Sequence, residues 1–119
     1  MYLPKSDIFS NLNELKTIDY SVKQATQNVF NELPAVTFQV STNKLRLDLN
    51  NDIIAQDIEI TIDIWADDSV TASNVLSDVE KTMRYIGYKL TYSADVPNID
   101  KIFHVVSRFQ TIGGNWIWA

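Results

Sequence analysis

The residues of this sequence that could carry chemistry begin with a row of carboxylates. Asp57, Glu59 and Asp63 fall at odd positions of a strand-like stretch, so they share one face of it. Carboxylates grouped in this way can act as acid and base, or they can hold magnesium. The same pattern is typical of the wet face of a sheet, or of a face covered by a neighbouring subunit. Because local spacing places no lysine or histidine to tune these carboxylates, the sequence favours the wet or intersubunit face.

His104 is the only histidine of the chain. A Ser/His/Asp arrangement would have to be built around it, but it lies in a strand-like stretch between Phe103 and Val105, and no serine-elbow motif occurs. We therefore interpret His104 as a structural or interface residue. The competing hypothesis is a small α+β enzyme that uses His104 with Asp63 or Glu59, and it requires these side chains to converge in a concave pocket.

One stretch imitates a calcium-binding loop. Asp48, Asn50, Asp52 and Glu59 take positions one, three, five and twelve of the pattern. Position six is Ile53 where the pattern has glycine, and the flanks read as strands where it has helices, so the sharp turn around the ion is lost. The sequence therefore predicts a solvated hairpin tip, and we expect no metal and no cofactor.

Composition narrows the class of protein. The chain has 119 residues, 45% hydrophobic and 21% charged, which predicts one domain over residues 1–119 with a C-terminal tail at 113–119. A net charge of -5 argues against sequence-independent binding to phosphate backbones. The lack of cysteine excludes disulfides and agrees with a reducing cytoplasm. No apolar run approaches the ~20 residues that cross a bilayer, and no signal pattern is present, so we expect no membrane contact.

The elements that position these residues centre on Gln56–Gly87. Isoleucine fills every even position from 58 to 64, which predicts a half-buried antiparallel strand. Asp67 or Asp68 can then cap a helix that ends near Gly87. The apolar stripe of that helix consists of Ala72, Val75, Leu76, Val79, Met83 and Ile86. We expect the strand face and the helix stripe to bury each other.

The remaining elements follow from weaker patterns. Ser6 or Asp7 can cap a first helix that ends near Lys16, and residues 17–24 favour a short strand although a helix also fits. Apolar residues alternate again from 36 to 49, but they change from even to odd positions near residues 41–43. This change predicts a bulge within a long hairpin that spans roughly residues 36–65.

Two more strands complete the predicted fold. We expect one strand at 88–92, a loop at 93–98 and a last strand at 101–111, whose two partly apolar faces indicate a central position. The predicted fold is α+β, with a mostly antiparallel sheet of four to five strands and a long β-hairpin. A long helix and a short N-terminal helix pack on one face of this sheet.

Several large apolar residues suggest contacts between subunits. We expect Trp65 to pack under the start of the helix. Trp116 and Trp118 follow a flexible Gly-Gly pair beyond the last strand, so contact with another subunit is favoured for both. At the hairpin tip, the candidate interface residues are Leu45, Leu47 and Leu49.

The order of several segments resembles a known family. The segments are Leu33-Pro34-Ala35-Val36-Thr37-Phe38, residues 57–66, Val79-Glu80-Lys81-Thr82-Met83 with Gly87-Tyr88, Ile102-Phe103-His104, and Ser107-Arg108-Phe109. Together they resemble the small neck proteins of long-tailed bacteriophages, known as tail terminator, tail completion or head-to-tail joining proteins. The resemblance covers roughly residues 7–110. The Gly-Gly-Asn-Trp-Ile-Trp tail departs from the family pattern, so it inherits no role.

The resemblance implies a virion structural protein without catalytic activity. Such a protein forms a ring, commonly a homohexamer, that caps the tail tube and joins it to the head connector. The implied partners are further copies of the chain, the major tail tube protein, the head connector or stopper protein, and passing DNA without specific binding. The implied location is the virion neck, after assembly in the host cytoplasm. A head-side adaptor fits equally, and Asp57, Glu59 and Asp63 suggest an anionic lumen through which DNA slides.

Overall fold

A computed structural model describes residues 4–16, 20–24, 33–97 and 102–111 of the chain. Its described part contains two helices and one five-stranded sheet, so the predicted α+β class is confirmed. In chain order the elements are α1 (Pro4–Leu15), β1 (Ser21–Gln24), β2 (Ala35–Leu47), β3 (Ile53–Ala66), α2 (Ser69–Tyr85), β4 (Tyr88–Val96) and β5 (Phe103–Thr111).

The strands lie in the order β1-β2-β3-β5-β4. All neighbouring pairs are antiparallel except β1 and β2, which run parallel, so the sheet is mixed. The predicted central position of the last strand is confirmed. β4 continues to Val96, where a loop was predicted, because it pairs with β5 as far as His104. The predicted strand within residues 17–24 is confirmed at Ser21–Gln24, and residues 17–19 and 25–32 lie outside the described residues.

Both helices pack on one face of the sheet, which we call the helix face. The even isoleucines of β3 are buried there, as predicted, together with the stripe of α2. From α1, Ile8 and Leu12 complete this core. The helix begins at Pro4, where a fixed φ suits a first helical residue, so Ser6 and Asp7 lie inside its first turn and the predicted caps there are wrong.

The predicted hairpin and its bulge are both confirmed. β2 pairs with β3 from Ala35 opposite Trp65 to Leu47 opposite Ile53, and the register shifts between Val40 and Thr42. β1 pairs only with residues 35–38 of β2, and β5 pairs only with residues 59–66 of β3. Among the described residues, 42–58 therefore form a two-stranded ribbon, which we call the hairpin arm.

Asp68 caps α2, which decides between the two predicted caps. Its carboxylate accepts hydrogen bonds from the backbone N–H of Thr71 at 2.7 Å and from the Thr71 hydroxyl at 2.8 Å. These bonds favour the ionised form, so the pKa of Asp68 lies below its ordinary value of 3.8. At the other end of the helix, Gly87 has a φ of 103°, a left-handed conformation that glycine adopts without strain.

The Asp68 cap gives a pH-dependent prediction. The folded pKa lies below the unfolded one, so the stabilisation is present above the unfolded pKa and is lost as the pH falls towards the folded pKa. We expect Asp68→Ala to lower the melting temperature at about pH 7, and to lower it by a smaller amount at about pH 3. Asp68→Asn is the control: it keeps an acceptor for Thr71, so it should fall between the two at neutral pH. Equal losses at both pH values would contradict the charged cap.

Candidate functional site

The carboxylate row lies on the face of the sheet opposite the helices, which we call the second face. Each of its three members has a cross-strand partner. Asp57 accepts two hydrogen bonds from the Arg46 guanidinium, at 2.9 and 3.0 Å. Glu59 accepts one from the Gln110 amide at 3.1 Å, and an oxygen of Asp63 lies 2.8 Å from Nε2 of His104. The register of the strands therefore separates the row into three independent pairs.

Basic residues share the second face with these carboxylates. The pairing puts Lys44 opposite Asp57, and Arg108 opposite Thr61 between Glu59 and Asp63. The described basic residues on this face are Lys23, Lys44, Arg46, Lys89 and Arg108. Five cations beside three carboxylates make this face less acidic than the strand sequence alone suggests.

Trp65 extends the Asp63–His104 pair. Its ring stacks on the His104 imidazole with centroids 3.8 Å apart and planes 11° apart, and its Nε1–H donates to the Thr37 hydroxyl at 3.2 Å. The prediction that Trp65 packs under the start of α2 is therefore wrong. The reason is that successive side chains of a strand point to opposite faces of the sheet. Trp65 and Asp63 are both odd residues of β3, so Trp65 lies on the second face, away from the helices.

The geometry meets one requirement of the enzyme hypothesis and fails another. Asp63 orients the His104 ring, as a carboxylate does in a catalytic pair. However, no hydroxyl group of the described residues is hydrogen-bonded to His104. Glu59 lies four residues from Asp63, about 13 Å along the strand. The described residues therefore bring together His104, Asp63 and Trp65 as a packed polar cluster, without the nucleophile of a triad.

The polar cluster predicts a coupled effect on stability. Asp63→Ala leaves Nε2 of half-buried His104 without its partner and should cost about 1–3 kcal/mol of unfolding free energy. His104→Ala should cost a similar amount, and the double variant should cost clearly less than the sum. Urea unfolding measures all three. Glu59→Ala, which removes an exposed pair, should stay within about 0.5 kcal/mol of the wild type, and strictly additive losses would contradict the coupling.

The calcium-like stretch forms a hairpin turn. The carboxylate of Asp48 accepts from the backbone N–H groups of Asn50 at 2.8 Å and Asp52 at 3.0 Å, and Asn51 has a φ of 63°. Asp48 is thus used to close the turn, as expected for a hairpin tip. Across the described residues, no group of three or more histidine, aspartate or glutamate side chains is arranged to hold a metal.

The leucines of the hairpin arm lie at its outer end. Leu45 is 40% exposed, Leu47 is 51% exposed and Leu49 is fully exposed. They are three of the eight large apolar residues exposed in the described part of the chain. Trp116 and Trp118, the other predicted interface residues, lie outside the described residues.

A buried tyrosine connects α1, β1 and α2. The ring of Tyr20 lies 5.3 Å from Nζ of Lys16, which also donates to the Tyr20 carbonyl oxygen at 2.5 Å. Burial, with the negative charge of Asp78 beside its hydroxyl, raises the pKa of Tyr20 far above its ordinary value. The hydroxyl therefore stays protonated throughout the physiological range.

A cavity of about 400 Å³, which we call the end cavity, opens where the N-terminal turns of α2 face the ends of β4 and β5. Ala72 and Ser73 line it from α2, and Asp95 lines it from β4. Phe103, His104 and Val105 line it from β5, so the histidine of the polar cluster also borders this cavity. Sequence reasoning missed this site because it depends on β4 extending to Val96. The sequence does contain one sign of the cavity: Phe103 is an aromatic residue at an odd position of β5, like buried Val105 and Phe109.

Comparison of the sequence with protein-family models and with characterised proteins gives no match. Neither described helix combines the length and hydrophobicity that a membrane-crossing helix requires.

Proposed function

We propose that this chain is a structural virion protein of a tailed-phage neck, a ring-forming tail terminator or tail completion protein. In this role it caps the tail tube and joins it to the head connector. The observation that carries the proposal is the hairpin arm, a two-stranded extension of the sheet with exposed leucines at its end. The order of sequence segments that resembles the phage neck family gives the arm its biological setting.

The arm has the physical properties of an assembly element. The base of the arm is packed, because Gln56 is 0% and Ile58 is 2% exposed. The outer end is a two-stranded ribbon, which is marginally stable in water by itself. Each of Leu45, Leu47 and Leu49 exposes 40% or more of its surface, so contact with another subunit would remove a large apolar area from water. The arm of one copy and the receiving surface of the next are different patches. Such a heterologous contact generates a ring when its rotation closes.

The second face bears on how DNA would pass through the ring. A lumen lined by Asp57, Glu59 and Asp63 would repel DNA and let it slide. The basic residues on the same face weaken that repulsion, and Arg46 neutralises Asp57 directly. We therefore favour a lumen lined by another surface, and mapping charges on an assembled ring tests this. A lumen formed by the second face would contradict it.

Two observations test the proposed function directly. In the genome, the gene should lie between those for the head connector and the major tail protein, whereas a setting among metabolic genes would contradict the proposal. In solution, the purified chain should cap tubes of the tail protein at one end, visible by electron microscopy with gold-labelled protein. Binding to connector rings and not to tubes would indicate the head-side adaptor instead.

A second candidate function, a small α+β enzyme, is supported by the 2.8 Å contact between His104 and Asp63. If this pair is catalytic, His104→Gln and Asp63→Asn should each abolish a hydrolytic activity of the chain without loss of fold. If the pair is structural, both variants should change stability alone. Assays of ester and phosphoester substrates, run beside thermal melts, separate the two outcomes.

A further inference from the structure

The end cavity is an apolar site within the buried face of the sheet. Phe103 has the same parity as buried Val105 and Phe109, so it points to the helix face, yet it is 47% exposed. The cavity separates it from α2, whose Ala72 and Ser73 form the opposite wall. A core-facing aromatic side chain is thus left partly uncovered beside a volume of about 400 Å³. That volume lies in the range of roughly 300–1,000 Å³ that receives compact organic groups.

The polar groups of the end cavity define what it can accept. Asp95 contributes a carboxylate, Ser69 and Ser73 contribute hydroxyl groups, and the other lining residues are apolar except His104, so hydrogen-bond acceptors lie beside apolar side chains. An indole ring matches this combination, because it is a large apolar surface with one N–H that only donates. The segment 112–119 of this chain offers two such rings, at Trp116 and Trp118, and carries no charged residue.

The chain's own segment starts at the wrong end of the sheet. Phe103 and Thr111 stand at opposite ends of β5, eight residues or about 26 Å apart. Trp116 follows Thr111 by five residues, which span at most about 18 Å. To reach the cavity of its own chain, Trp118 would need a straight path back along the helix face of β5. Because α2 covers that face, the chain's own segment does not fill its own cavity.

We propose that the end cavity receives the tryptophan-bearing segment 112–119 of a second copy of the chain. The segment leaves β5 at Thr111, and the cavity lies at the Phe103 end, so the contact joins two different patches of the chain. In a ring, each copy then gives its segment to one neighbour and accepts a segment from another. This head-to-tail contact is heterologous, the kind that builds rings. The inference deepens the proposed function and rests on it for the closure of the copies into a ring.

A peptide-binding experiment tests the contact without requiring a ring. A fluorescent peptide of residues 112–119 is added to full-length Trp116→Ala/Trp118→Ala, whose own segment cannot compete. We expect saturable anisotropy, weakened at least about 30-fold by the further change Ser73→Trp, which fills the cavity. Tyr85→Lys, on the exposed last turn of α2, is the control and should change nothing. No saturable binding, or equal binding to the filled cavity, would overturn the inference.

A mixing experiment tests the direction of the contact. Trp116→Ala/Trp118→Ala lacks a donor and Ser73→Trp lacks an acceptor, so each alone should sediment as a smaller species than the wild type. Their equimolar mixture should regain one contact for each pair of copies and form heterodimers. Wild-type mass in both single variants would overturn the inference, even if rings themselves persist.

The two experiments also separate this inference from the proposed function. A wild-type chain that forms open oligomers, whose mass keeps rising with protein concentration while the peptide still binds, would contradict the closed ring and support the contact. Phe103→Glu replaces Ser73→Trp if the tryptophan lowers the melting temperature, because its position is nearly half exposed. It should weaken peptide binding by a similar factor.

Discussion

Leu47→Asp should convert the proposed ring into monomers. Leu47 is 51% exposed at the outer end of the hairpin arm, far from the packed core, so the substitution should leave the fold intact. In an assembled ring the leucine would be desolvated, and a carboxylate there would be buried without a partner. Loss of a hot-spot contact costs about 2 kcal/mol or more, which is about 30-fold in affinity, and a ring repeats that loss at every interface.

Sedimentation velocity over a range of protein concentrations measures this effect. Tyr85→Lys is the matched control, because it also replaces a large exposed side chain with a charge, and lysine suits the last turn of a helix. It should keep the wild-type mass. Intact rings of Leu47→Asp, with an unchanged melting temperature, would show that the arm is not part of the interface. The end cavity would then be the main candidate contact.

Ile62→Ala should destabilise the folded chain by about 2–5 kcal/mol. Ile62 is fully buried at the centre of β3, between the two neighbouring strands and under α2. Alanine there removes apolar contacts and leaves a cavity that the rigid sheet cannot close. Since small domains are stable by only about 5–15 kcal/mol, the variant loses a large share of its stability.

The measurement is chemical denaturation in the Leu47→Asp background, so that subunit association does not add to the result. Ile62→Val removes a smaller group and should lower the unfolding free energy by only about 0.5–1.5 kcal/mol. Gln39→Ala, an exposed change on the second face of β2, should stay within about 0.5 kcal/mol of the parent. If Ile62→Ala cost no more than Gln39→Ala, the position of the core would be wrong.

The local elements of this fold could be predicted because their signals lie within a few residues. The even isoleucines of β3 specify a half-buried strand, and the stripe of α2 specifies the helix that covers it. The parity change between Val40 and Leu45 also located the bulge, because alternation shows directly where one extra residue enters a strand.

The contacts between distant strands could not be predicted in the same way. Asp63 and His104 lie 41 positions apart in the chain. They form a pair only because of the register of β3 against β5. The basic character of the second face likewise depends on four pairings at once. The prediction for Trp65 was wrong although the sequence holds the signal, since the odd position of this residue places it with Asp63 and away from α2.

The bulge between Val40 and Thr42 has a consequence for how the arm can change in evolution. Because it moves the odd residues of the outer arm to the helix face, Leu45 points to the same side of the sheet as Ile58. Deleting the extra residue, Ser41, would turn Leu45 to the opposite side of the sheet. Adding two residues to each strand would lengthen the arm and keep its orientation. Insertions of even length are therefore tolerated by this architecture, and odd ones invert the surface that the arm presents.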